Sequence, residues 1–144
     1  YADVLLERAE AFAQLGKTTE AIALVNQIRS RAASSTQMIG NYPSKYGVKF
    51  YCKNYTGSYD KEQAIKIVKM ERRLELAMES ERFFDLVRWG EAAQTLNSYY
   101  AAEKTKCTVY GEAEFTADKG EYLPIPFAQV AASNGYYTQN IGNW

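Results

Sequence analysis

The stretch Met70-Glu-Arg-Arg-Leu-Glu-Leu-Ala-Met-Glu-Ser-Glu-Arg-Phe-Phe-Asp-Leu-Val-Arg-Trp-Gly90 decides how this chain is read. At 100° per residue, Ile65, Val68, Leu76, Phe83, Leu86 and Val87 fall on one apolar stripe. Arg72 and Glu79 lie inside that stripe. The opposite side holds Ile67, Met70, Leu74, Met78 and Trp89, so this side too reads as covered. A helix apolar on two sides is sandwiched between neighbours. Its charges must then be paired, because an unpaired buried charge costs several kcal/mol. The spacing offers Arg72 with Glu75 or Glu79, Glu79 with Arg82, and Asp85 with Arg88 or Trp89. A solvated helix with surface pairs worth ~0.2–0.5 kcal/mol each is the weaker alternative.

Working outward, the chain reads as mostly α. Residues 1–33 form a TPR-like helical hairpin. Its first helix, from about Ala2 to Leu15, carries Leu5, Ala9, Phe12 and Ala13 on one face and is stopped by Gly16. Its second starts after Thr18 or Thr19 as N-cap, with Glu20 in the first turn and Ile22, Val25, Ile28 and Ala32 as its apolar face. The turn Leu15-Gly-Lys-Thr-Thr-Glu-Ala-Ile22 is similar to a tetratricopeptide turn. A lone repeat cannot bury its own face, so the hairpin needs a neighbouring helix.

Residues 34–59 read as a long tyrosine-rich loop, and residues 60–98 as one long central helix. That helix starts with a capping box of Asp60 and Gln63 and ends or kinks at Gly90. Residues 99–144 form a small irregular or β-hairpin portion. Its strands are expected at Cys107–Tyr110 and Glu114–Thr116, with a turn at Asp118-Lys-Gly120. Pro124 and Pro126 hold the approach to the end extended, and Pro126 is placed to open a short helix closed by Asn134-Gly135.

Four phrases, in order along the chain, carry a resemblance to a known family. They are Tyr1-Ala-Asp-Val-Leu-Leu-Glu-Arg-Ala-Glu-Ala11, Ala21-Ile-x-Leu-Val-Asn-Gln-Ile-Arg-x-Arg31, the pair Glu71-Arg-Arg-x-Glu-Leu-Ala-x-Glu79 with Arg82–Gly90, and Tyr122-Leu-Pro-Ile-Pro126 followed by Gln139-Asn140. Together they resemble the C-terminal region of SusD/RagB-family proteins, surface lipoproteins that capture nutrients, mostly glycans, for a TonB-dependent outer-membrane transporter. The sequence departs from the pattern at Ser80 and Glu81, where family members more often have Gly and a His or Asn. Phe83 stands for a frequent Trp, and Ile141-Gly-Asn-Trp144 for a common Pro-Gly-Tyr. The resemblance implies a fragment of a longer protein held on the outer membrane, on its cell-surface side, by an N-terminal lipid lying outside this sequence. It implies a SusC-like transporter and a glycan or other nutrient ligand as partners, and no catalysis. A TPR-like protein–protein interaction module is the alternative.

Composition bounds the function further. The 144 residues suffice for one domain, burying roughly 68–70% of the unfolded surface. Seventeen basic and seventeen acidic residues are interspersed, so no basic patch points to nucleic acid. With no histidine, the commonest general base and metal ligand is missing, and no catalytic residue, metal or cofactor is assigned. Glu112 and Glu114 imitate a glycosidase carboxylate pair but fall in the expected surface hairpin. Cys52 and Cys107 either pair, which would add roughly 4 kcal/mol, or stay as lone thiols.

Tyrosine is the outlier, with 12 residues. Tyr42, Tyr46, Tyr51, Tyr55 and Tyr59 are the candidate ligand-binding residues, because aromatic rings stack on the apolar faces of sugars while the hydroxyl bonds at the rim. The competing and favoured account is that they pin the long loop to the domain, body buried and tip wet.

Overall fold

The computed structural model describes residues 1–34 and 51–140. In chain order the helices are α1 (Ala2–Gln14), α2 (Thr18–Ser34), α3 (Lys61–Glu75), α4 (Glu81–Arg88), α5 (Ala92–Glu103) and α6 (Phe127–Ala132), with a 3₁₀ turn at Thr108–Tyr110. The chain is mostly helical, as the sequence indicates, and divides into two compact units, 1–79 and 80–144.

In the first unit α1 and α2 form the expected hairpin. Gly16, at φ +76°, closes α1 in a Schellman turn: Gly16 N–H donates to Ala13 and Lys17 N–H donates to Phe12, at 3.0 and 2.9 Å. The first turn of α2 closes on Lys17, whose carbonyl accepts from Ala21 at 3.1 Å. Thr18 and Thr19 therefore sit inside the helix and not at its cap. The third helix supplies the missing neighbour. Leu5, Leu6, Ala9 and Ala13 of α1, Ala21, Ile22, Val25 and Ile28 of α2, and Ala64 and Val68 of α3 make one buried core. Small alanines on all three helices let the backbones approach closely. Asp60 and Gln63 form the capping box of α3, with bonds of 2.8 and 3.1 Å.

The long central helix expected over 60–98 is three helices. It breaks at residues 76–80, where Met78 (φ +69°) and Ser80 (φ +68°) are left-handed, and again at Gly90 (φ +69°). A left-handed residue ends the helical path of the chain, and a residue with a Cβ pays to adopt it. Ser80 thus occupies the very conformation that glycine takes most readily, at the position where the family resemblance favours Gly. Gly90 makes a second Schellman turn, with Glu91 N–H donating to Leu86 at 2.8 Å.

The break also corrects the two-sided burial. Val68, Leu76 and Leu86 are buried as the stripe requires, but Met70, Leu74 and Met78 are exposed, Met78 completely. Arg72 does not pair with Glu75 or Glu79. Its Nη1 lies 2.8 Å from Asp3 Oδ1 on α1. Glu75 is bonded to Arg31 of α2. Asp85 pairs with Arg88 at 2.8 Å, one of the partners its spacing offered.

In the second unit, Leu86 and Ala92 are buried, and Phe83 meets Phe115 edge-on at 6.1 Å. Gly120 covers the Phe115 ring so closely that a Cβ there would lie 2.7 Å from it. No strand forms among the described residues. The expected hairpin is replaced by the 3₁₀ turn and a run of turns. Its place is held by side chains: Asn97 accepts from Phe115 N–H at 2.8 Å and donates to the Phe115 carbonyl at 2.9 Å. That amide supplies the ladder bonds a second strand would have made. Pro126 is the N-cap of α6, one position earlier than N1, and Asn134 and Gly135 at positive φ end it. Cys52 is half-buried, Cys107 is exposed, and both are free thiols.

Candidate functional site

Along α2, Asn26, Arg29 and Ser30 form a polar i, i+3, i+4 stripe that flanks the buried Ile22, Val25 and Ile28, with Asn26 and Arg29 half-buried. Each member of the stripe holds one residue of the returning chain. Asn26 grips Tyr55 by both main-chain groups, accepting from its N–H at 2.8 Å and donating to its carbonyl at 2.9 Å. Arg29 Nε donates to the Lys53 carbonyl at 2.6 Å, and Ser30 bonds Asn54 at 3.0–3.1 Å. The guanidinium of Arg29 also lies 4.8 Å over the Tyr55 ring and pairs with Glu71 of α3 at 2.7 Å.

Tyr55 held in this way meets Tyr59 edge-on, with centroids 6.1 Å apart and planes at 88°. Both rings are half-buried against the three-helix core. Gly57, at φ +152°, makes the bend between them; a Cβ there would sit 3.7 Å from the Tyr59 hydroxyl. The rings and the first turns of α2 enclose a cleft of about 430 Å³, with Thr18, Thr19, Asn26 and Ser58 as its polar lining. Its size lies within the ~300–1,000 Å³ of small-molecule sites. Two aromatic bodies with hydroxyl and amide groups around them suit a polyhydroxylated ligand, which presents apolar C–H faces and hydroxyl edges.

Of the five candidate tyrosines, the structure brings together Tyr55 and Tyr59. Tyr51 stands 78% exposed and does not line this cleft. Tyr42 and Tyr46 lie outside the described residues. The sequence reading passed over Asn26, Arg29, Thr18 and Ser58. The signal for the first two was the polar stripe at i, i+3 on α2, which alone looks like a solvated face. Glu112 lies in a turn and Glu114 in irregular chain of the second unit, and no strand sets them on one face. Among the described residues no three acidic or cysteine side chains gather as a metal-binding set, and no helix is long and apolar enough to cross a membrane.

The family model of the SusD family matches residues 1–144, the whole sequence. The chain belongs to the SusD family. It is also similar to a SusD-like protein, P38, of Formosa agariphila, with 40% identity over 96 residues. That alignment covers 67% of this chain and 17% of the relative, so the matched part spans about a sixth of that protein's length. The family phrases on which the resemblance rests occupy defined places in the fold. Ala21–Arg31 is the helix that carries the clamp, and Glu71–Glu79 supplies its partner Glu71. The closing pair Gln139-Asn140 grips the Leu-Pro-Ile-Pro segment. The Gln139 amide bonds both main-chain groups of Ile125 at 2.7 and 2.9 Å, and Asn140 donates to the Leu123 carbonyl.

Proposed function

We propose that this SusD-family chain serves, in its full-length protein, in non-catalytic capture of nutrients, above all glycans, at the bacterial outer-membrane surface. The captured ligand is delivered to a SusC-like TonB-dependent transporter. The full-length protein sits on the cell-surface side, anchored by an N-terminal lipid. The observation that carries this reading is the family match over the entire sequence. The cleft at Tyr55 and Tyr59 supports it with chemistry suited to sugars, aromatic walls and a hydroxyl-rich lining.

The test is a glycan array probed with the full-length protein, followed by Tyr55→Ala and Tyr59→Ala. Binding of at least one glycan, weakened by these changes, supports both the function and the cleft. Undiminished affinity in both variants assigns the two tyrosines to anchoring alone. Co-purification with the transporter from outer membranes checks the partner. An array without binding, together with capture of a peptide ligand, would replace glycan by peptide.

A further inference from the structure

The second unit contains an aromatic cleft of its own. Tyr99 and Tyr100 are consecutive on α5, and the 3₁₀ turn carries Tyr110 up to both. Tyr100 and Tyr110 are stacked, with centroids 5.7 Å apart and planes at 16°. Tyr99 meets Tyr110 edge-on at 5.5 Å and Tyr100 at 6.1 Å. Beside the stack opens a cleft of about 470 Å³ bounded by Asn97, Tyr100, Lys104, Tyr110, Glu112 and Glu114. Its size again falls in the ~300–1,000 Å³ of small-molecule sites.

Core packing does not account for this cluster. Among the described residues the buried apolar side chains of the unit are Leu86 and Ala92, from α4 and the first turn of α5, whereas the tyrosines stand at the other end of α5 with Tyr99 48% exposed. The cleft is nevertheless well fixed. The two hydrogen bonds between Asn97 and the Phe115 main chain fix the end of the segment that carries Glu112 and Glu114, which line the cleft. Around the rings stand one ammonium, Lys104, and two carboxylates. Carboxylates accept hydrogen bonds from sugar hydroxyls, and the ammonium donates to ring or hydroxyl oxygens. Two negative charges against one positive repel a polyanion.

We propose that the Tyr100–Tyr110 cleft is a second glycan subsite, and that it takes a neutral sugar unit in preference to a uronic acid or sulfated one. The proposal rests on the glycan-capture function above, and its test separates the two. Calorimetric titration of the full-length protein would use neutral hexasaccharides of glucose, galactose, mannose and xylose, alongside hexasaccharides of uronic acids. Two variants are compared with the natural protein: Tyr100→Ala with Tyr110→Ala, and Ala101→Trp. The second fills the cleft from an exposed position on α5 and leaves the stack intact. The expected result is a neutral ligand whose affinity falls about three- to tenfold in both variants, the worth of one aromatic stacking contact. If the double variant fails to fold, Ala101→Trp decides alone. Affinity for neutral and uronate ligands alike retained in the folded variants overturns the subsite and leaves glycan capture standing. Uronate affinity lost in the variants while neutral affinity is unchanged overturns the charge preference. No glycan bound by the natural protein overturns the capture function itself, and the subsite with it.

Discussion

Arg29 of α2 and Glu71 of α3 meet at 2.7 Å where both side chains are largely withdrawn from water. The same guanidinium bonds the Lys53 carbonyl and covers the Tyr55 ring, so one residue joins two helices to the segment that walls the cleft. A planar fork of five donors is suited to this, and a lysine would not reproduce it. Burial alone would lower the Arg29 pKa, but the hydrogen bond and charge of Glu71 outweigh it and raise it further. The Arg29 guanidinium therefore keeps its charge.

Breaking this pair from one side leaves a buried charge. Arg29→Met should destabilise the protein by about 3–5 kcal/mol, because it strands Glu71. Arg29→Met combined with Glu71→Leu should recover much of that loss. Urea denaturation of the natural protein and the two variants measures both effects. Equal losses in the single and double variants would show that Arg29 acts mainly through Lys53 and Tyr55.

Arg72 and Asp3 make an asymmetric pair. The arginine side chain is 2% exposed and the aspartate 40%. Asp3→Ala removes a countercharge from a buried guanidinium, whereas Arg72→Met leaves a carboxylate that water can reach. Asp3→Ala should therefore cost more, on the order of 3 kcal/mol, and Arg72→Met less. Thermal denaturation of both variants checks the order, and the reverse order would mean that Arg72 is held mainly by its own helix.

Ser80→Gly should stabilise. At φ +68° a serine pays about 1–2 kcal/mol that glycine does not, and the extra freedom of glycine in the unfolded chain offsets part of this. A net gain of about 0.5–1 kcal/mol is expected in chemical denaturation. A loss would show that the serine side chain makes a compensating interaction.

Tyr110 sets a pH dependence. Its hydrogen bond to Tyr99, with the neighbouring charge, raises its pKa above the ordinary 10.0. The folded state thus holds this proton more tightly than the unfolded chain. The associated stability is complete below about pH 10 and is lost as pH rises through the raised folded value. Ultraviolet tyrosinate titration of the natural protein and Tyr110→Phe should differ by one step above pH ~10. A missing step at or below that value would mean that the hydrogen bond contributes nothing.

The helical hairpin and the start of α3 were legible in the sequence because their signals are local: 3.6-residue periodicity, Gly16, and the Asp60–Gln63 box. The break at 76–80 was hidden because its left-handed positions carry Met78 and Ser80, not glycine. The charge pairs misled for a related reason. Arginine and glutamate three apart look like partners on one helix, but Arg72, Glu71 and Glu75 reach to α1 and α2. The site was half legible. Tyr55 and Tyr59 stood out by composition, whereas the stack of Tyr110 on Tyr100 required knowledge of how the chain returns to α5.

Asn26, Asn97 and Gln139 each hold a passing strand-like residue with both ends of one amide. Amides hydrolyse slowly in water, and the product is a carboxylate of nearly the same shape. At each of these three positions it would set a second acceptor against a main-chain carbonyl, so a grip becomes a repulsion with no change in bulk. The segments held by these amides, two of them beside the clefts, therefore age by chemistry as well as by unfolding. A stored sample can lose the walls of its sites one dalton at a time, while its helices stay folded.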